Sequence, residues 1–153
     1  MKNLSASARL LTLAALFTAM SCSSDSPTPS ANLSTLQGKY GTNGAIDFSC
    51  VAISNPNDMP TLDVSKQKDG SYRLVRTDFV PVKKTTELNN VMVRIKADTT
   101  FVMHEGKEIG KMFMGTWRDF SQKKSPEIVA PILWVIKRDS VDYPFFSYIG
   151  FRK

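Results

Sequence analysis

The chain has one histidine, two cysteines and no apolar run that reaches the roughly 20 residues of a membrane-spanning helix. With His104 alone, a multi-histidine metal site is excluded. A Ser-His-Asp or Cys-His arrangement would depend on that one residue. Glu105 follows His104 directly, so in a strand the two side chains would point to opposite faces. No CxxC pair, glycine-rich phosphate loop or EF-hand pattern occurs. These absences predict that the protein is not an enzyme and has no metal site and no cofactor.

The N-terminal segment has the plan of a secretory signal peptide. Lys2 and Arg9 precede an apolar stretch of about a dozen residues, and small residues follow it up to Cys22. Since the stretch is too short to span a bilayer, we predict that residues 1–21 are cleaved. A short helix packed on the domain is the alternative.

The run Ala19-Met20-Ser21-Cys22 resembles the lipobox of bacterial lipoproteins, in which the cysteine receives a diacylglycerol. That family prefers Leu where Ala19 stands and a smaller residue where Met20 stands. Cys22-Ser23-Ser24-Asp25 is also similar to the export tag of Bacteroidota-type surface lipoproteins. The resemblance implies acylation of Cys22, and a place at the outer membrane on its periplasmic or surface face. Two or three acyl chains would anchor the protein stably, because each buried methylene contributes about 0.8 kcal/mol.

The rest of the chain divides into a linker and one domain. Residues 22–34 are mostly Ser, Thr, Pro and Asn, which predicts a flexible linker. Residues 35–153 suffice for one domain with a hydrophobic core. Without residues 1–21 the chain keeps 18 of its 20 basic residues against all 14 acids, a net charge of +4. The basic residues form scattered pairs, so nucleic acid is not an expected partner. Cys50 is expected to be a buried inert thiol unless it forms a disulfide with Cys22.

Short alternating segments separated by turn residues predict an all-β domain. Val91–Ala97 has period two and Thr99–His104 continues it, while Thr85–Asn90 is a candidate for a single helical turn. Hairpin turns are predicted at Lys68–Gly70 and at Glu105–Gly106. Ile128–Arg138 is apolar on both faces, which indicates a central or covered strand. About eight to ten strands predict a single small antiparallel β-barrel or a β-sandwich.

The opening Leu36-Gln37-Gly38-Lys39-Tyr40 resembles the first strand of lipocalin-like (calycin-like) barrels, in which Trp follows Gly by two places. Tyr40 stands where the family has Trp. In that family a basic side chain from the last strand packs across this ring, and Arg152 is the candidate here. The resemblance implies a barrel with a calyx of ligand size, although a fold does not fix a function.

Aromatic and methionine side chains supply the candidate ligand contacts. Such residues hold apolar molecules or sugar rings, although they also pack cores. The candidates are Met112, Phe113, Met114, Trp117 and Trp134. We therefore expect a lipid-tethered module that binds a small apolar molecule or a glycan. The alternative is a structural or interaction lipoprotein, an accessory subunit of an envelope complex with a filled core. The barrel interior separates the two hypotheses, because large side chains would fill it and small ones would leave room.

Overall fold

The computed structural model describes residues 33–118, 127–139 and 144–153. They form two 3-10 helices, Phe48–Cys50 and Pro56–Asp58, and eight β-strands. The strands are β1 Gly38–Gly41, β2 Thr61–Lys66, β3 Tyr72–Asp78, β4 Lys84–Lys96, β5 Thr99–His104, β6 Lys107–Trp117, β7 Ile128–Arg138 and β8 Pro144–Arg152. None of these residues belongs to a helix long and apolar enough to cross a membrane. The predicted signal peptide, Cys22 and the linker up to residue 32 lie outside the described part.

The eight strands form one closed antiparallel barrel. Each strand pairs with the next along the chain, and β8 returns to pair with β1. Closure rests on two register pairs, Tyr40 with Arg152 and Gly41 with Phe151. The prediction of an all-β domain with a small antiparallel barrel is confirmed, and the β-sandwich alternative is wrong.

Both predicted hairpin turns are present. Gly70 lies between β2 and β3 at φ 86°, and Glu105 and Gly106 join β5 to β6 at φ 51° and 74°. A two-residue turn with both φ angles positive matches the twist of the strands it joins. The carboxylate of Asp69 accepts hydrogen bonds from the backbone N–H of Ser71 at 3.0 Å and from its hydroxyl at 2.7 Å. These bonds hold the pKa of Asp69 below its ordinary value.

Two local predictions were wrong around β4. Thr85–Asn90 is not a helical turn but part of this strand of 13 residues. Leu88 is 3% exposed and pairs with Leu74. The strand is therefore stabilised by pairing and packing against β3, which the polar sequence of Thr85–Asn90 does not indicate. Thr99–His104 also does not continue β4, because the chain reverses after Lys96 with Ala97 at φ 51°.

The barrel interior is filled by large side chains. One cluster of buried residues contributes to it from all eight strands. Its bulkiest members are Tyr40, Tyr72, Met112, Phe146 and Tyr148, each at most 2% exposed. Side chains of this size fill an eight-stranded barrel rather than line an open calyx. A ligand site therefore has to be sought on the outside of the barrel.

Arg152 packs on Tyr40 where β8 pairs with β1. The guanidinium of Arg152 lies 5.6 Å from the centre of the Tyr40 ring, which is the contact that the lipocalin-like resemblance implies. Arg152 also donates to the Tyr40 hydroxyl at 3.1 Å and to the carbonyl of Thr35. The Tyr40 hydroxyl donates to the carbonyl of Leu36 at 2.7 Å. Burial raises the pKa of Tyr40, and the hydrogen bond from Arg152 partly offsets that rise.

Cys50 is a buried thiol, 1% exposed, at the end of the first 3-10 helix. Burial raises its pKa, and the nearby Asp47 carboxylate raises it further. Because the thiolate is the reactive species, we expect Cys50 in the folded protein to react about 100-fold more slowly with iodoacetamide at pH 8 than in guanidinium chloride. The measurement uses the Cys22→Ser variant, in which Cys50 is the remaining thiol. Equal rates in the two conditions would show that this part of the chain opens readily.

Candidate functional site

The segment between β1 and β2, residues 42–60, forms one wall of a groove on the outside of the barrel. The groove has a volume of about 840 Å³. Sites for small molecules commonly enclose about 300–1,000 Å³, so the groove is of ligand size. Its opposite wall and floor come from the outer faces of the strands.

The floor is a row of cross-strand partners. Phe151, Gly41 and Thr61 are neighbours across β8, β1 and β2. They face outward because the residues that alternate with them, such as Tyr40 and Leu62, are buried in the interior. Gly41 has no side chain and Thr61 a short one, and the Lys153 side chain occupies part of the space that this leaves above Gly41.

The wall of residues 42–60 is held in shape by asparagine and aspartate side chains. Asn43 accepts from the backbone N–H groups of Ala45 and Ile46 at 3.0 and 3.1 Å. Asp47 and Asn55 cap the two 3-10 helices, each accepting from the N–H two residues on. Such side chains replace the hydrogen bonds that a strand ladder would supply. The wall therefore has a defined conformation although it lacks regular structure.

Aromatic rings stand at two parts of the groove. Trp117 stacks on Phe151 with ring centroids 4.3 Å apart and an angle of 24° between the planes. Its buried indole N–H has no hydrogen-bond partner among the described residues. Phe79 follows β3, and the ammonium group of Lys83 lies 5.9 Å from the centre of its ring. On the opposite wall Phe48 is 83% exposed.

A second recess of about 530 Å³ adjoins the groove, and both are lined by Ala45 and Trp117. Apolar side chains form most of its wall, including Ile46, Phe113 and Ile132. At its edge Arg118 and Glu127 form an ion pair at 3.3 Å. Trp117 therefore stands between two recesses rather than at the end of one.

Lys153 is the one charged residue among the described residues that line the groove. Its backbone N–H donates to the carbonyl of Lys39 at 2.9 Å, which extends the pairing of β8 with β1. A Cβ atom placed on Gly41 would overlap Cε of Lys153, so the side chain lies across the floor at that glycine. Cε and Nζ of Lys153 therefore lie beside the floor of the groove.

The five candidate contact residues do not lie together. Phe113 and Trp117 line the recesses from the outer face of β6. Met112 points the other way and is fully buried, with its sulfur 3.4 Å from the Tyr40 hydroxyl. Met114 and Trp134 are 39% and 41% exposed and do not line either recess. The structure thus brings two of the five residues to one site.

Two groove residues were not singled out from the sequence as candidate contacts, namely Phe48 and Phe79. Phe48 belongs to a segment rich in Asn, Ser and Pro, where an apolar residue has no strand to join. That mismatch is the signal that could have identified it. Phe79 follows directly after β3, and no local pattern distinguishes it from an ordinary strand end.

His104 is 9% exposed and lies at the opposite end of β5 from Thr99. Its Nδ1 atom is 3.5 Å from the Glu105 carboxylate, so the expectation of opposite faces was wrong. The reason is that Glu105 belongs to the turn, where its positive φ brings the side chain back. The nearby Glu108 carboxylate forms an ion pair with Arg94 at 3.5 Å. Among the described residues, no group of three His, Cys, Asp or Glu side chains could hold a metal ion.

Comparison of the chain with protein-family models, with curated proteins and with solved structures finds no match. The function therefore has to be argued from the groove and its residues.

Proposed function

We propose that the protein is a lipid-tethered binding module of the cell envelope that holds a small apolar molecule in the outer groove. The observation that carries the proposal is a recess of about 840 Å³ with an aromatic wall, beside a barrel interior that is already filled. An apolar ligand gains about 25 cal/mol for each Å² of surface that it removes from water. Trp117 stacks on Phe151, so a preformed aromatic surface is available to such a ligand.

Tethering through Cys22 is proposed from the resemblance of Ala19-Met20-Ser21-Cys22 to the lipobox. Residues 22–34, whose composition predicts a flexible linker, would separate that anchor from β1. The outer membrane is the proposed place of the anchor.

The second candidate function is that of an interaction lipoprotein, and the exposed apolar residues favour it. Phe48 and Val51, which both line the groove, are 83% and 66% exposed. Large exposed apolar side chains in one region are typical of surfaces that a protein partner covers. The two functions differ in one measurable respect, because an accessory subunit needs no small ligand.

Fluorescence of N-phenyl-1-naphthylamine, a neutral apolar probe, tests the proposed function. The probe is titrated into the full chain carrying Cys22→Ser, which removes the predicted site of acylation. We expect saturable binding, and at least tenfold weaker binding after Trp117→Ala, because hydrophobic contact with one aromatic ring contributes more than 1.4 kcal/mol. Trp134→Ala is the matched control, since Trp134 is exposed on the outside of β7 and lines neither recess. It should leave the affinity unchanged.

A second variant is needed because Trp117→Ala also removes the stacking contact with Phe151 and so changes the groove indirectly. Thr61→Phe fills the floor of the groove without touching the interior, and it should block the probe while the circular dichroism spectrum is retained. Binding that survives both Trp117→Ala and Thr61→Phe, or no saturable binding by the parent chain, would exclude the groove as a ligand site and favour the accessory role.

A further inference from the structure

The outer surface of the barrel differs between its two halves. Outward residues that are neighbours across β2, β3 and β4 include Asp63, Val75 and Glu87. On the other half, the neighbours across β4 to β8 are, in turn, Arg94, Phe101, Lys111, Trp134 and Ile149. These five residues, the outer row, face outward because the residues that alternate with them, such as Val102, Leu133 and Tyr148, are buried.

β7 is the strand whose sequence is apolar on both faces, which predicts that its outer side is covered. Leu133 and Val135 pack in the core, and Trp134 and Ile136 alternate with them on the outside. Trp134 is 41% exposed, so the described residues leave its outer side uncovered. An antiparallel strand that faces water normally alternates apolar with polar residues. The outer row is therefore typical of a surface that a partner or a membrane covers.

The cations of this surface lie over aromatic rings. The guanidinium of Arg94 is 5.3 Å from the centre of the Phe101 ring, and the ammonium of Lys111 is 5.4 Å from that of Phe113. Arg94 also forms an ion pair with Glu108 at 3.5 Å, so the surface is not strongly charged. Side chains of this kind place apolar stems and rings at the depth of the acyl chains and keep their charged groups in water.

Two observations favour a bilayer over a protein as the covering body. Lys111 lies in the middle of the outer row, between Phe101 and Trp134, whereas lysine is depleted in the cores of protein interfaces. The proposed anchor, Cys22, is also close in sequence to the first described residue, Leu33. A chain of this length spans at most about 40 Å when it is fully extended. Acylation would therefore keep the barrel at a high effective concentration beside the bilayer.

Resting on the proposed lipid anchor, we infer that the outer row lies against the phospholipid bilayer that holds Cys22. The Trp134 ring enters the interface, and the charged groups of Lys111 and Arg94 stay at the depth of the phosphates. Because Arg94 is paired with Glu108, aromatic and apolar contact rather than net charge carries the association. Zwitterionic lipid is therefore sufficient, and salt should have little effect on the contact.

The two tryptophans of the chain allow each side of the barrel to be observed separately. Trp117→Phe leaves Trp134 as the one fluorophore of this kind, and Trp134→Phe leaves Trp117. Both acylated proteins are purified from membranes and reconstituted into phosphatidylcholine vesicles, with and without lipid brominated on its acyl chains. We expect the brominated lipid to lower Trp134 emission about twofold, because the ring lies at the interface. Trp117 emission should be nearly unchanged at low and at high salt.

A matched pair of variants tests whether the outer row makes the contact. In the Trp117→Phe protein, Phe101→Gln should reduce the quenching of Trp134, whereas Val75→Gln on the polar half should leave it unchanged. Circular dichroism checks that both variants fold. Equal quenching of the two tryptophans, or quenching of Trp134 that survives Phe101→Gln, would overturn the inference.

Two further outcomes are distinguishable from these. Unquenched Trp134 in a protein that sediments as a dimer, with Trp134→Glu restoring the monomer, would overturn the inference in favour of a second copy of the chain. Mass spectrometry that finds no acyl group on Cys22 would instead overturn the anchor on which the proposed function depends.

Discussion

Replacement of Tyr40 by alanine is expected to lower the free energy of unfolding by about 4 kcal/mol. The ring is 1% exposed in the core, and its hydroxyl donates to the carbonyl of Leu36. Removing it leaves a cavity and also takes the ring and an acceptor away from Arg152. Single domains are stable by about 5–15 kcal/mol, so the variant would lose much of its stability. Urea unfolding followed by circular dichroism measures the loss.

Two milder variants separate the parts of this contact. Tyr40→Phe keeps the ring and removes the hydroxyl, so it should cost about 1 kcal/mol. Arg152→Lys keeps a charge but lacks the fork with which Arg152 reaches both Tyr40 and Thr35, and its effect should lie between the other two. If Tyr40→Phe were as destabilising as Tyr40→Ala, the hydrogen bonds rather than ring packing would close the barrel.

The fold could be predicted where the sequence carries local turn chemistry. Gly70 and Gly106 stand at backbone angles that glycine adopts easily, so both hairpins were identified correctly. The reversal after Lys96 was missed because Ala97 carries the positive φ, and alanine is not a turn signal. The strand at Thr85–Asn90 was missed for a related reason. Its pairing with β3 is a tertiary effect that overrides a polar local sequence.

The candidate site was only partly predictable because alternation along a strand does not say which face is inside. In β6 the sequence separates Met112 and Met114 from Phe113 and Trp117, and both faces are apolar. Closure of the barrel puts Met112 in the core and leaves Trp117 outside on Phe151. The sequence could therefore assign these four residues to two faces without showing which face lies in the core.

The groove itself depends on contacts between distant parts of the chain. Gly41 belongs to β1, Trp117 ends β6 and Lys153 follows β8, and only barrel closure brings them around one recess. The wall of residues 42–60 adds side-chain hydrogen bonds that no periodicity encodes. A sequence pattern predicts which segments form strands, but the groove is defined where the last strand meets the first.

Gly150→Ala tests the junction of β8 with β1 directly. We expect it to lower the free energy of unfolding by about 3 kcal/mol. A Cβ atom on Gly150 would stand 2.3 Å from the carbonyl oxygen of Gly41 and 2.7 Å from the Tyr148 ring. The carbonyl belongs to the backbone, so relief requires β8 to move away from β1. Gly41 is also the floor of the groove, and the same movement should weaken binding of N-phenyl-1-naphthylamine. Urea unfolding and probe titration on one preparation measure both effects.

Gly106→Ala is the matched control because its expected cost comes from the backbone angle and not from a steric clash. Nothing lies within 4 Å of a Cβ atom on Gly106, but its φ of 74° is unfavourable for alanine. The expected cost is about 1 kcal/mol with unchanged probe affinity, since the turn between β5 and β6 does not line the groove. Equal costs for the two variants would mean that β8 yields easily to an added methyl group. A large cost at Gly150 together with a loss of probe binding would instead show that barrel closure and the ligand site share one contact.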